Sequence, residues 1–150
     1  MIPIRCHAVA GVALSEIDGQ IKMLLMYRVK GGFWCHVAGT VEAGETGWQT
    51  IIREFGEETG ITVCELYTAH YLEQFYESGP NVVTVVPVFV VYCPPNQGVQ
   101  LNDEHTAYRW CTLAEAKVLV SFPGQQALYD HVWRYFVESR PSTLMRVVLG

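Results

Sequence analysis

Glu54, Glu57 and Glu58 stand at i, i+3 and i+4, so on a helix they share one face. The stretch around them reads as a helix from about Gly47 to Thr59. Trp48, Ile51, Ile52 and Phe55 fall there on one apolar stripe, as a repeat near 3.6 residues requires. Carboxylates crowded in this way repel. Two charges ~6 Å apart cost roughly 3 kcal/mol at an effective dielectric near 20. They also lie near the helix C-terminus, where the macrodipole disfavours negative charge. Only Arg53 is close enough in sequence to offset them. Two readings follow. One is a solvated acidic face. The other is a cluster neutralised by a divalent cation, and hard carboxylate oxygens suit Mg²⁺ or Mn²⁺ better than zinc.

The rest of the chain must hold this helix in place. Ile4 to Leu14 reads as a first strand, and Ile21 to Val29 as a second, joined by a turn at Glu16 to Gln20. A connection so short makes the pair an antiparallel hairpin. Phe33 to Thr40 is a short strand leading back toward the helix. Gly60 is placed to cap that helix. Val63 to Ser78 is a long strand that bends or is interrupted, and Gly79-Pro80-Asn81 is a turn. Val82 to Tyr92 is β-branched enough for a central strand, with an edge or bulge expected at Pro87. Another strand spans Ala107 to Cys111. Thr112 and Glu115 have the spacing of a capping box, so a helix starts there. Phe122-Pro123-Gly124 breaks it. Gln125 to Ser139 is a last amphipathic helix with Leu128, Val132, Tyr135 and Phe136 inward. The apolar run Leu144 to Leu149 packs on the domain or on another subunit.

Composition narrows the function. A chain of 150 residues with 50% hydrophobic and 17% charged residues is long and apolar enough for one folded domain. A formal charge of −5 with no basic block argues against binding nucleic-acid polymers. A small phosphorylated molecule needs only a few local cations. Met1 to Ala10 lacks the charged start and long apolar run of a secretory leader, and no segment has the length and hydropathy of a membrane span. Five cysteines without a CxxC pair suit reduced thiols in a cytoplasm. Cys6-His7 and Cys35-His36 do not make zinc sites, because neighbours on a strand point to opposite faces.

Gly39, five residues, Glu45, seven residues, and then Arg53-Glu54-Phe55-x-Glu57-Glu58-x-Gly60-Ile61 resembles the Nudix box at every specified position. Phe55 is a mild departure, an aromatic where a smaller aliphatic is usual. The resemblance implies an α/β (α+β) fold, a mixed β-sheet sandwiched between α-helices, in a single domain over residues 1–150. It implies a Mg²⁺-dependent hydrolase, with Mn²⁺ as a substitute, in which water attacks a phosphorus of a phosphoanhydride. Carried over residue by residue, Glu57 and Glu58 are metal ligands, Glu54 is a ligand or the general base, and the Gly39 carbonyl completes the coordination. Arg53 belongs to the catalytic set, bracing the loop through Glu45 rather than touching substrate. Glu104 is the separate carboxylate that the family often adds after its box. The general base stays open among Glu54, Glu58 and Glu104.

The substrate is less constrained. The lead-in from Trp34 through Thr46, and Glu104-His105-x-Ala107-Tyr108-Arg109-Trp110, are similar to dihydroneopterin triphosphate pyrophosphatases. That resemblance implies a pterin triphosphate or a dNTP such as dATP. The alternatives are a dinucleoside polyphosphate, a nucleotide-sugar, or a non-catalytic ligand-binding domain that keeps the fold. Domains of that last kind usually lose box carboxylates, and this chain keeps them. A bound heterocycle needs an apolar slot with a few polar partners. Trp34, Phe75 and Tyr76 are candidates for the wall, Gln74 for the hydrogen bonds and Arg28 for the phosphates. The family also forms dimers, so a homodimer is a further expectation.

Overall fold

The computed structural model describes residues 1–150. Its strands are β1 (Ile4–Arg5), β2 (Ala8–Ile17), β3 (Gln20–Arg28), β4 (Phe33–Cys35), β5 (Val37–Thr40), β6 (Leu66–Glu77), β7 (Val82–Tyr92) and β8 (His105–Cys111). Its α-helices are α1 (Gly47–Thr59), α2 (Leu113–Leu119) and α3 (Pro123–Val132). The strands form one mixed sheet. β7 runs parallel to β1 and β2, and the other pairs are antiparallel. The β2–β3 hairpin turns through Asp18 and Gly19, both at positive φ, the backbone that a tight hairpin turn needs.

Alternation along β2 explains the sandwich. Val9 and Ala13 belong to the apolar cluster that receives Ile51 and Phe55 of α1. Ala10, Val12 and Leu14 belong to the cluster that receives Ala116, Leu128, Tyr129, Val132 and Phe136 from the α2–α3 side. Helices therefore cover both faces of the sheet, as a strand buried on each side demands. Gly11 sits between Val9 and Ala13. A methyl group there would come within 2.6 Å of Phe55 and 2.9 Å of Ile51, so a glycine lets α1 lie close against β2.

Several segments differ from their sequence-based expectations. The first strand is two, because the chain leaves the sheet at Cys6-His7 and β1 pairs only with β7. The segment Phe33 to Thr40 is also two strands. It breaks at His36, and β4 pairs with β3 while β5 pairs with β2. Pro87 lies in a strand with partners on both sides, yet its missing N–H disrupts neither ladder. β7 changes partner from β1 to β2 between Thr84 and Val88. On its other side β6 bulges between Thr68 and Leu72, with His70 at φ 50. The last helix begins at Pro123 and closes with a π-helical turn over Trp133–Val137. Tyr135 lies in that turn and points outward, 44% exposed. Within the C-terminal run, Val147 packs on the domain and its N–H donates to the Leu66 carbonyl, while Leu144 and Val148 stay exposed.

Candidate active site

The segment before α1 is held rigidly. Thr46 caps the helix and exchanges hydrogen bonds with Gln49, satisfying two donors that a helix start leaves open. Glu45 accepts from the Glu42 N–H at 2.9 Å and from the Thr50 hydroxyl at 3.0 Å. Arg53 reaches back to Glu45 through Nε at 2.7 Å and Nη2 at 2.9 Å. These donors, Arg53 first, hold the Glu45 carboxyl down at about 2. The same guanidinium donates to the Thr40 carbonyl at 3.1 Å, to Glu54 at 2.7 Å and to Glu57 at 3.3 Å. Arg53 thus ties the loop, β5 and the acidic face of α1 together, and every polar edge of it is used.

The three box glutamates do not share one environment. Glu57 is 56% exposed, 3.3 Å from Arg53, and is not among the clustered ligand atoms described next. Glu54 is buried against Gly39, where a side chain on residue 39 would collide with its carboxylate. Glu58 is 2% exposed, and its Oε2 has no hydrogen-bond partner. Burial first, then the hydrogen bond and charge of Glu54, then Glu104 and Glu57, push its carboxyl far above the ordinary range. Ligand atoms of Glu58, Glu104 and His105 lie within 4.8 Å of one another. His105 Nε2 is 3.8 Å from Glu58 Oε1 and 3.6 Å from Cys35 Sγ, while its Nδ1 is buried without a partner. Burial and Arg28 hold this histidine below its usual value. The orphaned, buried Oε2 of Glu58 beside an excess of carboxylate fits a divalent cation. The oxygen donors suit Mg²⁺, and the imidazole extends the set to Mn²⁺. Glu58, Glu104 and His105 are the ligand atoms brought together here; sequence spacing did not single out His105, and Glu57 is not part of this group.

Glu58, Glu104, His105 and Gly39 line one wall of a cavity of about 820 Å³. Arg28 lines it too, with its guanidinium 5.5 Å from the Phe33 ring. So do Gln74 and Tyr76, both exposed, together with Phe33, Leu72, Phe75 and Phe122. Trp34 does not. Its neighbours Phe33 and Cys35 face the cavity, and strand alternation turns Trp34 away to pack edge-on against Tyr27 and on the larger apolar cluster. Two further lining residues were not among the binding candidates taken from the sequence. His36 is buried at the β4–β5 break, with Nδ1 2.8 Å from the Tyr129 hydroxyl and Nε2 2.8 Å from Glu73 Oε1. Burial alone would raise the Glu73 carboxyl, but His36, by charge and hydrogen bond, brings it below the ordinary value.

The family model described as the NUDIX domain matches residues 5–132. The asymmetrical bis(5'-nucleosyl)-tetraphosphatase of Mus musculus is 31% identical over 121 residues, spanning 76% of this chain and 80% of that protein. An octanoyltransferase of Myxococcus xanthus is 32% identical over 124 residues, 81% of this chain, but the chain spans only 34% of that protein. Among solved structures, an Ap4A hydrolase binary complex from C. elegans superposes with a TM-score of 0.78 at 24% identity, covering 92% of this chain and 99% of that one.

Proposed function

The chain belongs to the Nudix family and is a Nudix hydrolase, and from that premise we propose that it hydrolyses a phosphoanhydride of a nucleoside triphosphate or of dihydroneopterin triphosphate with the help of Mg²⁺ or Mn²⁺. The observation that supports this most directly is the buried, unpartnered oxygen of Glu58 beside Glu104 and His105 at the cavity wall. Glu58, Glu104 and His105 would hold the cation, with the Gly39 carbonyl and Glu54 next to them. A divalent cation there supplies charge neutralisation for the phosphates and lowers the pKa of water.

The chain's own residues divide the remaining work. Arg28 brings positive charge to the phosphates, as electrostatic stabilisation of phosphoryl transfer requires. Arg53 is fully engaged by Glu45, Thr40, Glu54 and Glu57, so it positions α1 rather than binding substrate. Glu54 has an oxygen committed to Arg53 at 2.7 Å. Glu104 is exposed in the cavity and is the better placed group to take the proton of the attacking water. The aromatic residues around the mouth, Phe33, Phe75, Tyr76 and Phe122, offer stacking surface for a heterocycle.

A second reading is a dinucleoside tetraphosphate, favoured by the mouse tetraphosphatase, of which the chain covers 80%. One assay separates them. Nucleoside triphosphates, dihydroneopterin triphosphate and dinucleoside tetraphosphates are incubated with and without Mg²⁺, and the products are resolved by chromatography. Cation-dependent cleavage of the triphosphates is the expected result. Cleavage confined to the dinucleotides moves the substrate to the second reading. Cleavage that survives chelation, or none at all, overturns the proposal.

A further inference from the structure

Glu73 lies outside the cation-binding group, yet it is the most deeply set charged side chain on the β6 wall of the cavity, 16% exposed. Its surroundings assign its protons. Tyr129 is fully buried, with its hydroxyl held neutral by burial, and pairs with His36 Nδ1. His36 Nε2 donates to Glu73 Oε1, since an ionised carboxylate only accepts. That assignment satisfies all three groups and leaves Glu73 a pure acceptor. Its Oε1 is used by His36, the one hydrogen-bond partner the carboxylate has within the protein, and the side chain keeps 16% of its surface open. A ligand that fills the cavity displaces water from this carboxylate, which is costly unless the ligand supplies donors. Gln125, the other buried polar side chain of this region, is already committed to the Trp34 carbonyl and the Phe122 N–H. Between these two deeply set polar groups, Glu73 is the one with acceptor capacity left for a ligand.

Heterocycles differ in what they can offer it. Guanine and pterin share a 2-amino-4-oxo pyrimidine ring with a ring N–H beside an amino group, two adjacent donors that match a carboxylate. The pairing edge of adenine has one donor beside an acceptor, and uracil or thymine has one donor between acceptors. Either would set a lone pair against a Glu73 oxygen. We propose that Glu73, fixed by His36 and Tyr129, is the specificity-determining residue of the cavity and selects 2-amino-4-oxo heterocycles, guanine or pterin, over adenine and the 2,4-dioxo pyrimidines. The proposal rests on the cavity being the substrate site, and it narrows the proposed substrates to those with such a ring.

The test is run first without metal. Binding of GMP, neopterin monophosphate and AMP to the whole protein in EDTA is measured by calorimetry. At least one of the two-donor ligands binds about tenfold or more tightly than AMP, the scale expected when a buried acceptor is left unpaired by the wrong base. The GMP and neopterin arms show which of the two rings is preferred. Glu73→Gln, which replaces one acceptor oxygen by a donor, brings the ligands within about threefold of one another or turns the preference toward adenine. The wild-type comparison decides the matter alone if that variant does not fold. Equal affinities, a preference for AMP, no measurable binding of either two-donor ligand, or a folded Glu73→Gln protein that keeps the preference overturns the inference. His36 is a positioning residue. His36→Leu loses the preference, whereas His36→Gln, whose amide still donates to Glu73, retains it; equal preference in both removes that role. With Mg²⁺ added, kcat/KM for dGTP against dATP follows the same ratio. Failure of cation-dependent hydrolysis in every arm removes the proposed function while leaving the binding ratios to judge Glu73.

Discussion

Glu58 is 2% exposed with an unsatisfied oxygen, whereas Glu57 is 56% exposed beside Arg53. Their charges do different work although they are adjacent in sequence. Neutralising Glu58 removes a donor that nothing else replaces, so Glu58→Gln lowers kcat by about a thousandfold or more, the scale on which a ligand at a catalytic centre counts. Glu57→Gln loses an exposed pairing with Arg53 and lowers kcat at least about tenfold less. Single-turnover rates at saturating Mg²⁺ check the order, and a larger loss in Glu57→Gln would make Glu57 rather than Glu58 the principal ligand of the cation. Spacing alone revealed that these residues share a helix face, because three- and four-residue steps are local. It could not reveal which of them is buried. His36 and Glu73 were less legible still, since their meaning lies in contacts across 37 and 93 positions of chain.

At the scale of elements, the site depends on how closely α1 lies against β5. Gly39 is what allows it, because a side chain there would occupy the space of the Glu54 carboxylate. Gly39→Ala therefore pushes Glu54 off the sheet, destabilises the fold by roughly 2–3 kcal/mol and lowers turnover at least tenfold. Gly56, on the same helix but with nothing near a would-be side chain, is the control. Gly56→Ala stabilises the protein by about 0.5–1 kcal/mol through helix propensity. Urea denaturation of the two variants checks both signs, and a neutral Gly39→Ala would show that the helix can retreat freely. The helix, its stripe of Ile51 and Phe55, and the Gly60 cap at φ 71 were readable because each is a local pattern. The break at His36 was not. Phe33 to Thr40 has unbroken strand character, and only the competing partners β3 and β2 split it.

Across the whole molecule, the sandwich of helices on a mixed sheet follows from β2 being apolar on both faces, and that much was visible in its composition. What the composition hides is that a buried acid sets how stability responds to pH. Burial raises the Glu58 carboxyl in the folded state above its ordinary 4.5. Above that value the unfolded chain has released the proton while the cation-free folded protein keeps it. The folded state then binds more protons, so stability falls as pH rises. The lowered histidine His105 acts in the opposite sense, but its effect is complete above its ordinary 6.5. The raised thiols Cys35, Cys93 and Cys111 join only near their ordinary 9.0. Between pH 7 and 8.5 Glu58 therefore dominates, with a slope of up to about 1.4 kcal/mol per pH unit. Mg²⁺ or Mn²⁺ takes the place of that proton, so saturating cation raises stability, more at pH 8.5 than at pH 7, and flattens the slope. Glu58→Gln flattens it without cation and is the more stable protein there, because a neutral amide replaces an acid that resists ionisation. Denaturation curves at pH 7, 7.75 and 8.5, with EDTA or with Mg²⁺, measure all of this; parallel slopes for wild type and Glu58→Gln in EDTA would mean that Glu58 is already ionised in the empty site.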